Sequence, residues 1–360
     1  MGVVPNLVVL WTTSRCNLQC KYCYAHSMTR QADMEFETAK TALDYFSNTS
    51  MKIQFAGGEP MLNFKLIREI VDYVKKMGYN CMFQMQTNGT LIDEKIASEI
   101  KDMRINIGVS FDGPPSMNEM LRGGTRSALE GIQNLARAGV MINLNAAVTA
   151  VNIARLPELL DLALYLGNVG AIGLDIIRFA GRAKEKPDDV PAPSSAQLID
   201  VLHRLDEKSQ HLYATIGKKI GVRPIAEAEK RLSLLNRDKN YCYATCGKSF
   251  VILPEGDVYP CGSLADREEY FMGNINDGEI VSMCLPSDLV DENCAECDYY
   301  DFCQGGCPSR IVTNTDNFYD GGLDCAMRKA SFEIAMQKID KITKIEGQYS
   351  DVLLPHPNQK

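Results

Sequence analysis

Residues 14–24 read Ser-Arg-Cys-Asn-Leu-Gln-Cys-Lys-Tyr-Cys-Tyr, placing Cys16, Cys20 and Cys23 within eight positions. They follow an apolar run, Leu7–Leu10, and no fourth cysteine stands nearby. A closed metal site normally takes four ligands. A four-iron cluster on three protein thiolates leaves one iron open to a ligand from solution, as the open position does in catalytic zinc sites. The run Leu7–Thr13 reads as a strand, so the three sulfurs lie just past its C-terminal end.

Further strands are expected at Lys52–Phe55, Cys81–Thr87, Asn106–Phe111, Met141–Val148 and Ile172–Ile177. Helical patterns fall between them at about 37–48, 63–77, 92–102, 126–138 and 154–166. Strand–helix alternation predicts a parallel sheet with right-handed crossovers. Six repeats make an open sheet or a partial barrel, and either binds ligands at the C-terminal ends of its strands. At those ends stand Ala56-Gly57-Gly58-Glu59-Pro60, Thr87-Asn88-Gly89 and Ser110-Phe111-Asp112-Gly113. Any one of these is ordinary turn chemistry. Together with the cysteines they mark one face.

The 360 residues allow two domains, and 45% apolar with 23% charged is an ordinary soluble composition. A net charge of −8 advertises no basic surface for nucleic acid or anionic lipid. No run approaches the roughly 20 apolar residues of a membrane span, and the N-terminus lacks a signal-peptide core. A cytoplasmic protein is expected. There, clustered cysteines are more often metal ligands than disulfides. Of thirteen cysteines, three lie at 16–23, Cys81 is alone and nine fall between 242 and 325. The four histidines do not cluster. An all-thiolate donor set favours zinc or iron–sulfur.

Residues 181–194 are polar and proline-rich, a break and, by position, a candidate lid. Ser195 is expected to cap the helix that follows. A second helical pattern covers 224–237, a final helix spans about 326–345, and the last fifteen residues look like a tail. Between them the spacing is Cys242-x3-Cys246-x14-Cys261, then Cys294-x2-Cys297-x5-Cys303-x3-Cys307, then Cys325. Paired zinc knuckles need two C-x2-C units about 15–20 residues apart. Only Cys294/Cys297 qualifies. Setting Cys284 aside, eight cysteines fill two four-sulfur sites, and counting alone leaves zinc or iron–sulfur open. Cys81 reads as a small core residue, and Cys284 as an exposed one.

The C-x3-C-x2-C motif, with Tyr22 before its last cysteine, resembles the radical S-adenosylmethionine superfamily. The C-terminal spacing, with Gly256 inside the fourteen-residue gap, resembles its SPASM subfamily of peptide maturases and anaerobic sulfatase maturases. The resemblance covers about residues 5–335. It implies an α/β fold: a partial (β/α)6 TIM-like barrel at 1–180, a helical bridge at 181–240, a SPASM domain at 241–335 carrying two auxiliary iron–sulfur clusters, and a helix end and tail at 336–360.

The resemblance also implies ligands and roles. Cys16, Cys20 and Cys23 would hold a [4Fe–4S] cluster whose open iron chelates S-adenosylmethionine. Gly57, Gly58, Glu59 and Pro60 would support the methionyl ammonium, which a carboxylate and backbone carbonyls suit chemically. Ser110 would contact the ribose and Arg122 the cofactor's carboxylate, to which a guanidinium fork is matched. Tyr22, Thr87, Asn88 and Asp112 would line the pocket. Cys242, Cys246, Cys261 and Cys307 would hold one auxiliary cluster, and Cys294, Cys297, Cys303 and Cys325 the other. Cys242 is the exposed point of this scheme, because its gap to Cys246 is shorter than in the sulfatase maturases.

The implied chemistry is reductive cleavage of S-adenosylmethionine to a 5′-deoxyadenosyl radical that takes hydrogen from a substrate carbon. The cofactor carries the reaction and the protein positions it and excludes water. The expected substrate is a ribosomally made peptide, oxidised or cross-linked through carbon or a thioether. A low-potential electron donor of flavodoxin or ferredoxin type is implied, as are oxygen sensitivity and an anaerobic setting. With strand one starting near residue 7, either a separate leader-binding protein or the barrel itself would present the peptide. Formylglycine formation on a sulfatase is a competing reading. It expects an Asp directly after Cys261, where this chain has Gly262, and Asp257 reads instead as part of a Gly256-Asp257 turn. A zinc-binding, non-enzymatic protein is a third. No residue stands out as a general base.

Overall fold

A computed structural model describes residues 4–27, 31–47, 50–233, 240, 242–285, 294, 296–303, 306–314 and 322–353. The first two-thirds alternates strand and helix. The strands are β1 Leu7–Thr13, β2 Met51–Gly57, β3 Cys81–Thr87, β4 Asn106–Ser110, β5 Ile142–Val148 and β6 Val169–Ile176. The helices between them are α1 Phe36–Tyr45, α2 Phe64–Met77, α3 Glu94–Met103, α4 Pro115–Leu121, α5 Thr125–Arg137 and α6 Glu158–Leu166. The strands are parallel and neighbour one another in sequence order. Every crossover therefore steps the same way, so the helices cover one face and the sheet curls, as in a barrel and not a doubly wound sheet. The six strands lie where the alternation placed them. Short α4 was not anticipated; Pro115 opens it at the first helical position, where proline is well tolerated.

Strand periodicity sorts two faces. Ile53 and Phe55 on β2, Phe83 and Met85 on β3, and Leu144 and Ala146 on β5 are buried in the main core with the covering helices. Their neighbours Gln54, Gln84, Gln86 and Asn145 point the other way, into a lumen lined with amides.

The C-terminal third joins the same sheet. Among the described residues it has nine strands in the order β7-β6-β5-β4-β3-β2-β1-β8-β9. β7 (Gly221–Val222) extends the β6 edge, and β8 (Ser249–Ile252) pairs in parallel with β1 from Leu7↔Ser249 to Leu10↔Ile252. β9 (Val258–Tyr259) returns antiparallel to β8. The turn between them places Gly256 at φ 97°, and Asp257 pairs with Asn274, so Asp257 belongs to the turn.

The bridge holds α7 Arg182–Glu185, α8 Ser195–Ile216 and α9 Arg223–Ser233. The cap of α8 is Ser194, not Ser195. Ser194 Oγ accepts from Gln197 N while the Gln197 side chain accepts from Ser194 N, a capping box that register sets one residue earlier. The 181–194 segment does not stand over the site as a lid. Ala183 and Val190 are buried with Leu121, Ile177 and Phe179, and this apolar contact packs it beside the cysteine loop. The predicted helix at 224–237 is α9 to residue 233, and 234–239 lie outside the described residues.

α10 (Pro308–Asn314) sits between Cys307 and Cys325. α11 runs Gly322–Leu353, so helix replaces tail through residue 353. α11 packs on α8 and α9, with Lys338 Nζ paired to Glu229 at 2.8 Å and to Asp206. Among the described residues no helix is long and apolar enough to cross a membrane.

Candidate active site

A cavity of ≈ 750 Å³ opens at the C-terminal ends of the strands. Cys16, Cys20, Cys23, Tyr22, Gly57, Gly58, Glu59, Thr87, Asn88, Ser110 and Arg122 share its wall. So do Cys242, Cys261 and Cys307 from the C-terminal third. Of the expected cofactor residues, Pro60 and Asp112 are buried behind the wall.

Backbone contacts hold the cysteine loop. Gly58 N donates to Thr13 O at 2.9 Å and Glu59 N to Arg15 O at 2.8 Å. A Cβ on Gly57 would meet Thr13 O at 2.3 Å, and one on Gly58 would meet Arg15 O at 2.2 Å. Only glycine permits that approach. On the other flank Arg182 N donates to Cys23 O at 3.1 Å, and Gly181, at φ 54°, would drive a Cβ to 2.3 Å from the same oxygen. Thr13 Oγ1 donates to Asp33 Oδ1 at 2.5 Å, and Arg15 Nε reaches the same carboxylate at 3.0 Å.

Glu59 is 1% exposed. Its carboxylate accepts from Thr87 Oγ1 at 2.6 Å, Asn88 N at 2.7 Å and Met61 N at 3.1 Å. It thereby clasps the loops after β2 and β3. Burial pushes its carboxyl up, against the pull of the bonds from Asn88 and Thr87. Tyr22 donates its hydroxyl to Asp112 and accepts from Arg122 Nη1. Asp112 is fully buried, 3.8 Å from Arg122 Nη1, and Ala147 N donates to it at 2.9 Å. Burial also raises Asp112, though Arg122 opposes the shift. Asp112 is a support: it orients Tyr22 and Arg122, which are the groups at the wall.

Burial pushes Cys20 up to about 11 and raises Cys16. Free thiols there stay protonated, whereas a bound metal deprotonates its thiol ligands outright. Cys16, Cys20 and Cys23 stand close enough to feel one another's charge and that of Arg122, and three thiols on the cavity wall are a donor set that suits a cluster with one open position.

At the far end, burial pushes Cys242 up to about 11. Burial would raise Cys307 too, but the Arg310 and Arg178 guanidiniums outweigh it and hold the thiol below its ordinary value. Arg178 Nη2 stands 4.0 Å from Cys307 Sγ, and Arg178 Nη1 pairs with Asp175 Oδ2 at 2.7 Å. Arg310, 4% exposed at its side chain, pairs with Asp175 at 2.7 Å and with the buried Asp324 beside Cys325. Asn314 donates to Ile177 O at 3.3 Å and accepts from Phe179 N at 2.8 Å. These bonds fasten α10, and so Cys307, to the end of β6. Cys246, Cys294, Cys297, Cys303 and Cys325 lie off the cavity wall. Cys284 is exposed and Cys81 is half-buried against the core.

Sequence reading did not single out Gln86, Asn145, Asp175, Arg178, Arg223 and Arg310. Gln86 and Asn145, polar residues on alternate strand positions, look like a solvent face, and only the curl of the sheet turns them inward.

Residues 12–163 match the Radical SAM superfamily. An uncharacterized protein of Methanocaldococcus jannaschii is 35% identical over 75% of this chain and 88% of its own length. An AdoMet-dependent heme synthase of Oleidesulfovibrio alaskensis is 29% identical over 85% of this chain and 83% of its own. The solved structure of native anSMEcpe with bound AdoMet and Cp18Cys peptide superposes with a TM-score of 0.75 at 22% identity, covering 94% and 99% of the two chains.

Proposed function

The chain belongs to the radical SAM superfamily, and from that premise we propose that this enzyme abstracts hydrogen from a carbon of a peptide or protein substrate, oxidising or cross-linking it. One observation carries the reading: a single ≈ 750 Å³ cavity is lined both by Cys16, Cys20 and Cys23 of the β1 loop and by Cys242, Cys261 and Cys307 of the C-terminal third. Redox groups held by the two sets would share one cavity with the substrate. When bound, S-adenosylmethionine and its cluster supply the hydrogen-abstracting radical. The chain's own residues place the reactants. Arg122, oriented by Tyr22 and Asp112, offers a fixed cation for a carboxylate, the Glu59 clasp holds two loops at the wall, and the apolar Trp11 and Leu174 help exclude water. We assign Cys16, Cys20 and Cys23 to the first cluster, Cys242, Cys246, Cys261 and Cys307 to a second, and Cys294, Cys297, Cys303 and Cys325 to a third. The second group would take the electron left when the substrate radical closes to product. A peptide bound to anSMEcpe, a protein of like fold, supports the substrate class.

Formylglycine formation is disfavoured at Gly262. A Cβ there would lie 2.9 Å from the Trp11 ring, leaving no room for the acid that reading requires. A tetrapyrrole substrate is the second reading. The name of the Oleidesulfovibrio relative favours it, as does Arg223, a cavity cation with no carboxylate within ion-pair distance among the described residues.

The test is anaerobic purification and reconstitution, then iron per chain and 5′-deoxyadenosine after reduction with S-adenosylmethionine. About twelve irons are expected. Added peptides from neighbouring reading frames should lose hydrogen by mass spectrometry, and a propionate-bearing tetrapyrrole should not. Zinc in place of iron, with no 5′-deoxyadenosine, overturns the enzyme reading. Turnover on the tetrapyrrole alone overturns the peptide.

A further inference from the structure

Beneath Ser110 runs a chain of side chains with one direction. Arg223, the exposed first residue of α9, sends its guanidinium across β6 to the edge of the barrel lumen. It can do so because residue 173 is glycine: a Cβ there would lie 2.0 Å from Arg223 Nη2. Nη2 donates to Asn145 Oδ1 at 2.7 Å. Asn145 Nδ2 donates to Gln86 Oε1 at 2.6 Å, over a second notch at Gly108, whose Cβ would lie 2.5 Å from that oxygen. Gln86 Nε2 then donates to Ser110 Oγ at 2.8 Å.

A guanidinium has donors and no acceptor. It therefore fixes which end of the Asn145 amide faces it, and each later amide inherits the choice. Ser110 Oγ ends the chain as an acceptor. Among the described residues it has no other partner, so its own proton is left to point into the cavity.

We propose that Arg223 is a positioning residue that sets Ser110 as a hydrogen-bond donor toward the bound cofactor. The proposal rests on the reading that Ser110 lines the S-adenosylmethionine site. Arg223 stands at the edge of the lumen and touches the cofactor only through three side chains. A carboxylate at 223 would reverse the chain: it would accept from Asn145, Asn145 from Gln86, and Gln86 from the Ser110 hydroxyl, which would then turn away from the cavity.

The experiment is S-adenosylmethionine affinity by anaerobic equilibrium dialysis on the reconstituted full chain, without reductant, with iron content and melting temperature as fold controls. Ser110→Ala should weaken binding about fivefold, the worth of one neutral hydrogen bond. Arg223→Met should cost about twofold and Arg223→Glu at least as much as Ser110→Ala, and Arg223→Lys should restore most of the loss. In the Ser110→Ala background, Arg223→Glu should add nothing. If Ser110→Ala binds normally, Ser110 does not hold the cofactor and premise and proposal fall together. If Ser110→Ala weakens binding but Arg223→Glu matches Arg223→Met, or costs the same with Ser110 removed, only the relay falls. Unchanged S-adenosylmethionine affinity with a raised substrate KM in Arg223 variants would make Arg223 a direct substrate contact and overturn the relay.

Discussion

At one end of the cavity three cysteines sit within eight residues of one loop, and main-chain bonds through Gly57, Gly58 and Gly181 hold it. At the other, Cys261 follows β9, and Cys307, 46 residues on, is docked by side chains: Arg310, Asp175, Arg178 and Asp324. Main-chain fastening leaves no choice of residue where two backbones touch. Ion-pair fastening leaves choice of residue but makes the link depend on charge and pH. The first end is a rigid cradle and the second a docked segment, and each should fail in its own way.

The largest effect should follow from the smallest atom. Gly58→Ala puts a methyl 2.2 Å from Arg15 O, so the cysteine loop and the 57–60 turn must separate. A displacement near 1 Å at a reacting centre costs on the order of 10²-fold. We expect 5′-deoxyadenosine formation to fall by at least about that factor, with iron lost from the first site while the C-terminal iron stays. Loss of iron from both ends would mean that the two are one cooperative unit, and the comparison would break.

The second effect tests the docked end. Asp324→Asn leaves Arg310 short of its buried partner. Breaking one side of such a pair costs about 3–5 kcal/mol. Denaturant unfolding should show that loss, with C-terminal iron released first. The double variant Arg310→Met/Asp324→Leu should recover most of the stability, since no buried charge is left uncompensated. Asp175 would still be paired by Arg178.

A smaller effect is expected at Asp112. Asp112→Asn keeps the shape but weakens the acceptor that orients Tyr22 and Arg122. A hydrogen bond to a charged group is worth about 1.5–3 kcal/mol. S-adenosylmethionine affinity should therefore drop about tenfold or more, alongside a lower melting temperature because the pair is buried. A lower melting temperature with no change in the affinity of the folded variant would make Asp112 a core residue only.

The same contrast explains what the sequence made legible. β1–β6 follow from alternation, and the cysteine loop follows from spacing, because both are local. β8 could not be foreseen. Four residues, Ser249–Ile252, give no local signal that they pair with Leu7–Leu10, 242 positions earlier. The amides Gln86 and Asn145 look like solvent-facing strand positions until the sheet curls around them. Arg223 reads as a helix-start cation, and only the missing Cβ at Gly173 lets it reach the edge of the lumen. Spacing named the C-terminal cysteines but could not place them, since Cys307 is positioned by Asp175 on β6, which no motif marks.

The smallest expected effect is the difference in how the two ends respond to acid. Burial raises Glu59 and Asp112 above their ordinary values. Such groups favour the folded state below their unfolded pKa and lose that contribution as pH rises through the folded one. Asp175 is lowered: burial would raise it, but Arg178 and Arg310 prevail. Its contribution is present above the ordinary Asp value and lost as pH falls through the depressed one. Half of the Asp175 side chain is exposed, so screening keeps the effect below about 1 kcal/mol. As pH falls from 7 toward the carboxylate range, hydrogen exchange corrected for intrinsic rate should slow or hold steady at 59–61 and 87–89. Below the ordinary Asp value it should accelerate at 308–314. Earlier opening at 59–61 than at 308–314 would reverse the roles of cradle and docked segment. Equal acceleration at both would show that charge at Asp175 does not govern the link, and would leave Asn314 and the apolar contacts of α10 to hold Cys307 at the cavity.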